Sequence, residues 1–224
     1  MRIISYEDAR VTALFPLEEV VPLERDGRDN LSQIKTRYEF SRVTDLATTP
    51  REEIEKNGVR LEGGKFSFEG QTAAITSLAI YRDGIVVSAN RSEYAEAMIH
   101  DLLEFCHAKL GFRRPVTTPR FLFLSQIIVE FEISLANLIS KFSAISDLIT
   151  SELVPIYQNT EPVNFCRVDF ELEKKAIPSG IAAPRFVIER RVNIPVERER
   201  YFCGAPLRTA SHLRVLEEIE KLLG

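Results

Sequence analysis

His100, Glu104 and His107 lie at i, i+4 and i+7, a spacing that stacks three metal-ligand side chains along one helix face. The same helix carries its apolar stripe at Ile99, Leu102, Leu103 and Cys106, so the His/Glu line faces water. No second group of His or Cys completes a four-ligand shell. The pattern reads as a solvated helix face, and neither a metal nor a cofactor is expected. Cys203-Gly204, with His212 opening the last helix, is the nearest approach to a Cys–His pair. A thiol beside a helix start can have a lowered pKa, but nucleophilic catalysis also needs an orienting third group, and an incidental thiol is the expectation. Glu130 and Glu132 share one strand face about 7 Å apart by the strand rise. Paired glycosidase carboxylates come from different elements flanking a sugar, so these two mark where a strand meets solvent. Glu62-Gly63-Gly64-Lys65 lacks the spacing of a phosphate loop and leads into a strand; it reads as a turn between strands.

A basic segment carries more weight. The whole chain has a net charge of −4, yet nine Lys and Arg against three Glu fall within 174–214, a local excess of +6. Arg190 interrupts the apolar series Phe186, Ile188, Val192, Ile194, so its guanidinium must snorkel, pair with an acid or line a site. Arg198 and Arg200 are expected on one face of the following strand, beside Tyr201 and Phe202. Arginines and aromatics on a sheet can hold phosphates or stack bases, which makes Arg190, Arg191, Arg198, Arg200 and Tyr201 the candidate residues for a nucleic acid or phosphorylated ligand. The interleaved Glu189, Glu197 and Glu199 supply cross-strand partners instead, and a charge-laddered exposed sheet is the stronger expectation.

The elements that position these groups follow from two hydrophobic periods. Phe121, Phe123, Ile127, Val129, Phe131 and Ile133 alternate as in a strand, with Leu122, Leu124 and Ile128 making its first half apolar on both faces. Leu135, Leu138, Ile139, Phe142, Ile145, Ile149 and Leu153 then follow helical spacing. Thr49-Pro50-Arg51-Glu52 predicts a helix with a capping box, stopped at Lys56-Asn57-Gly58. Strands are predicted at 65–69 and 71–82, with Asp83-Gly84 turning into Ile85–Ala89. Asn90 is the expected cap of a helix ending before Gly111. Val11–Phe15, Val20 and Val21, punctuated by Pro16 and Pro22, predict an edge strand or extended arm, and 25–30 a polar loop with strand character from Thr36. Further strands are predicted over 166–172, 186–194 and 196–203, and a final helix is capped by Thr209 or Ser211.

These elements predict an α+β fold: an antiparallel or mixed sheet with helices at about 91–110, 135–153 and 211–223 packed mainly on one face. The chain reads as a single domain over 1–224, or as two similar halves, 1–112 and 118–224, joined by the Pro/Thr/Arg-rich linker 111–119. Its 45% hydrophobic and 28% charged residues are ordinary for a globular protein. The apolar stretch around 121–149 is interrupted by Gln126, Glu130, Glu132, Lys141 and Asp147, so no membrane partner is expected. Three scattered cysteines and an N-terminus acidic by Glu7 point to a reducing cytoplasm. The favoured function is a non-enzymatic one, interaction with another protein or with itself. The alternatives are nucleic-acid or phosphorylated-ligand binding through the arginine hairpin, and a hydrolase or transferase whose residues converge from distant segments.

Overall fold

Ala9, Val11 and Ala13 are buried and alternate with Arg10, Thr12 and Leu14, and the segment Arg2–Leu14 forms one strand, β1. The computed structural model describes residues 1–21, 27–133, 147, 149–151, 166–171, 184–191 and 193–223. The chain divides into a larger unit, Glu7–Ser125 with Pro206–Thr209, and a smaller one, Met1–Tyr6, Gln126–Ala205 and Ala210–Gly224. The α+β class holds, and every strand pair of described register is antiparallel.

The larger unit adds α1 (Leu17–Val20), α2 (Gly27–Arg37), β2 (Arg42–Val43), α3 (Arg51–Asn57), β3 (Val59–Phe68), β4 (Gln71–Tyr81), β5 (Gly84–Ala89) and α4 (Ser92–Leu110), and it holds the first half of β6 (Arg120–Glu130). Its strands run in the order β2-β3-β4-β5-β1. Two expectations fail here for the same reason. β1 is an interior strand, paired from Ala9↔Ala89 to Leu14↔Gly84 with β6 as its other neighbour, because within Ala9–Leu14 the single charge, Arg10, lies on the face opposite the buried row. The polar stretch before Thr36 is helical, since Asn30, Ile34 and Tyr38 recur at one face. Tyr38 and Phe40, expected in a strand, follow that helix and are both 2% exposed.

Glycine also misleads. Gly63-Gly64 does not break the chain but lies inside β3, where Gly64 pairs with Ile75. A Cβ at Gly64 would stand 2.5 Å from the Phe40 ring, so the missing side chain lets that ring lie on the strand. Gly84 turns β4 into β5 as expected. The α3 helix forms, but its flanking residue is Pro50 with no side-chain cap, so the Thr49 capping box is not made.

Helix α4 buries Ala95, Met98, Ile99, Leu102, Cys106 and Leu110. These join Val11, Ala13, Leu61, Ile75, Leu78, Ile85, Val87 and Ile34 in one core. Asn90 does not cap α4. Instead the Ser92 amide donates to Thr209 Oγ1 at 3.0 Å, and the Thr209 amide donates to Ser92 Oγ at 2.7 Å. Both residues are fully buried. Two helix starts thus satisfy each other's orphan amides. Gly111, at φ 68°, closes α4 in the left-handed conformation.

The smaller unit contains the rest of β6, then β7 (Arg167–Phe170), β8 (Phe186–Arg190), β9 (Arg200–Ala205) and α5 (Thr209–Leu223), with strand order β6-β9-β8-β7. Ile127, Val129, Phe131, Ile188, Tyr201, Cys203 and Leu216 form its core. Most of the helix expected over 135–153 lies outside the described residues. No described helix is long and apolar enough to cross a membrane.

Candidate functional site

The C-terminal hairpin of the smaller unit is shorter than its sequence suggested. β8 ends at Arg190, Asn193 adopts φ 64°, and Val196–Arg198 form a 3-10 turn before β9 begins at Arg200. Glu199, at φ 44°, stands between turn and strand. Arg198 therefore sits on the turn, and Arg198 and Arg200 are not two residues of one strand face.

This geometry sorts the arginines into two kinds. Arg190 lies 3.5 Å from Glu199, with both side chains largely buried. Its guanidinium also stands 5.8 Å from the centre of the Tyr201 ring. Tyr201 donates its hydroxyl to Glu199 at 2.5 Å. Burial, with that hydrogen bond, pushes the phenol up to about 12, so Tyr201 remains a neutral donor. Arg200 donates to Glu130 at 3.0 Å, and Arg2 donates to the other oxygen at 2.7 Å. The Arg200 hydrogen bond, joined by the charge of Arg2, holds Glu130 below the usual carboxylate range. Arg190 and Arg200 are thus internal to ion-paired clusters. Arg191 and Arg198 are exposed, and among the described residues neither has a carboxylate within ion-pair distance.

The pairing continues outward. Arg167 bridges to Asp169 at 2.7 Å and to Glu189 at 3.2 Å, and Arg185 reaches Glu171 at 3.1 Å. Arg167 and Glu189 are directly opposite in the β7–β8 register, so the ladder is the cross-strand kind that stabilises an exposed sheet. Sequence reasoning named Glu199 as a partner but missed Glu130, which Arg200 and Arg2 reach across 70 and 128 positions of chain.

The remaining constellations have structural uses. His100 stacks on Phe121 at 5.1 Å, Glu104 pairs with Arg114 at 3.2 Å, and His107 Nδ1 lies 2.9 Å from the Phe112 carbonyl. No metal-binding cluster occurs among the described residues. Burial raises Cys203 to about 12 and lowers His212 to about 4. Both shifts favour neutral thiol and neutral imidazole, the opposite of an activated thiolate pair. Glu132 approaches the Met1 α-amino group at 3.6 Å, and Glu220 accepts a hydrogen bond from the same amine.

Fold and site define an α+β protein with an antiparallel sheet whose C-terminal hairpin is an ion-paired ladder. No family model and no curated protein matches the chain. Among solved structures, "Methanococcus jannaschii TBP" is similar at 12% identity and a TM-score of 0.44, over 99% of this chain and 97% of that one. At that level the likeness carries no functional argument.

Proposed function

We propose that this protein is a binding protein that associates with a second copy of itself through one face of the sheet in its larger unit. The observation that carries the reading is the alternation in three strands. Val11 and Ala13 of β1, Ile85 and Val87 of β5, and Phe121 and Phe123 of β6 all pack in or against the helix-lined core. Period-two geometry then turns Thr12, Leu14, Val86, Leu122 and Leu124 to the other face. All five are half-buried rather than buried, and none belongs to the described core cluster. Thr12 stands opposite Val86, and Val86 opposite Ala79, so the middle of this face is small and uncharged, with Arg10 and Arg60 at its margin. An apolar centre rimmed by polar and charged groups can pair with its own copy about a twofold axis. Two such faces stack about 10 Å apart.

Sedimentation equilibrium tests this directly. Wild-type protein is expected to self-associate in the micromolar range, and the double substitution Val86→Lys with Leu122→Glu is expected to leave a folded monomer. A wild type that stays monomeric up to about 200 μM, near the weak end of specific association, would sink the reading.

A second reading rests on Arg191 and Arg198, the two exposed hairpin arginines without a described acidic partner. They support an anionic ligand, nucleic acid included, bound at the turn with Arg190, Arg200 and Tyr201 as its packed base. Gel retardation that weakens steeply with salt and is lost in Arg191→Glu with Arg198→Glu would favour it, whereas no retardation at low salt would remove it.

A further inference from the structure

We infer that the larger unit holds a binding site for a small neutral bicyclic aromatic molecule with a single hydrogen-bonding group, of which indole is the type. The site is a cavity of about 230 Å³ between α1, α2, α4 and the end of the sheet. Its walls include Phe15, Val20, Ile34, Leu102 and Cys106, all buried in the core of the unit. That volume is roughly half again the size of the apolar cavity of about 150 Å³ that takes one benzene ring, so it suits two fused rings.

The lining decides the rest of the ligand's chemistry. No described charged side chain lines the cavity, so an ion would lose its hydration without compensation. The Cys106 thiol is pushed up to about 12 by burial and behaves there as a small apolar group. One polar residue is present. Asn30, the fourth residue of α2, is 7% exposed and lines the cavity, and its amide carries both a donor and an acceptor. A single N–H or O–H on the ligand would give this amide a hydrogen bond in an otherwise apolar wall. This site rests on different residues from the sheet face, so either proposal can fail alone.

Calorimetry and methyl NMR with indole, and with indene as the ring isostere lacking N–H, test the inference on the full chain. Indole is expected to bind with a dissociation constant on the order of 0.1 mM, shifting the methyl signals of Leu31, Ile34 and Leu102. Cys106→Phe should fill the space and abolish binding of both compounds. Asn30→Leu should weaken indole about three- to tenfold, the worth of one hydrogen bond, and leave indene unchanged. Absence of heat and of methyl shifts in the wild type at millimolar indole would overturn the site, whether or not either variant folds. An equal response of indole and indene to Asn30→Leu would overturn the role of the amide.

Discussion

Ser92→Ala removes one acceptor from a place that water does not reach. In the folded protein Ser92 Oγ receives the Thr209 amide at 2.7 Å, and both residues are fully buried. The substitution leaves that amide orphaned, which costs about 1–3 kcal/mol, in line with about 0.5–2 kcal/mol for a lost helix cap. A value near 2 kcal/mol is expected. Thr209→Val keeps the shape of the side chain and removes the reciprocal acceptor, which takes the Ser92 amide at 3.0 Å, so a similar loss follows. With a urea slope of about 2 kcal/mol per molar, each variant should lower the unfolding midpoint by about 1 M. The double variant should cost less than the sum by about 1 kcal/mol, because one broken bond already lets the two helix starts part and admit water. Thr76→Ala, an exposed strand position, is the control and should stay within about 0.5 kcal/mol. If either cap variant matches that control, the reciprocal cap contributes nothing and the reasoning fails.

His212 gives the protein a pH dependence of known sign. Burial holds its pKa at about 4 against an ordinary 6.5, so between those values the unfolded chain takes up a proton that the folded chain does not. Stability is full above pH 6.5 and falls as the pH drops, by about 2 kcal/mol at pH 5; His212→Gln should flatten the difference in urea midpoint between pH 7.5 and 5. Gly64→Ala should cost about 1–3 kcal/mol by overpacking against the buried Phe40 ring, read as a lower midpoint that Phe40→Leu partly restores. Gly84→Ala should be worse than Gly64→Ala. Its Cβ would stand 2.1 Å from the Ala13 carbonyl oxygen, a backbone atom, at φ 149°, and an equal cost for the two would contradict this.

Period was the legible part of this sequence. The alternation around Phe121 and the stripe through Ile99, Leu102, Leu103 and Cys106 each became the strand and helix they predict, because burying a repeated face dominates local energetics. Punctuation was mixed: Gly58, Gly84 and Gly111 mark the ends and the turn they predict, while other breakers misled. Gly63-Gly64 looked like a turn, yet serves close packing against Phe40. Pro16 and Pro22 suggested an edge, yet β1 is interior and only its end is marked by proline. Helix α2 was hidden because Leu31 and Ile34 are its few apolar anchors, and its other buried residue, Asn30, is polar. Among the candidate site residues, the partition of arginines was out of reach for a different reason. Glu199 lies close by in sequence, but Arg2 and Arg200 meet at Glu130 only through strand order, which periodicity does not encode.

The interior position of β1 has a consequence for synthesis. This strand leaves the ribosome well before its partner β5, which begins roughly 70 residues later, at Gly84. At about 5–20 residues per second the strand waits roughly 4–14 s before it can pair. During that interval Arg2, Glu7, Asp8 and Arg10 put charge on a segment whose other residues would otherwise invite a neighbouring chain. These charges keep the nascent chain from pairing too early with the wrong partner.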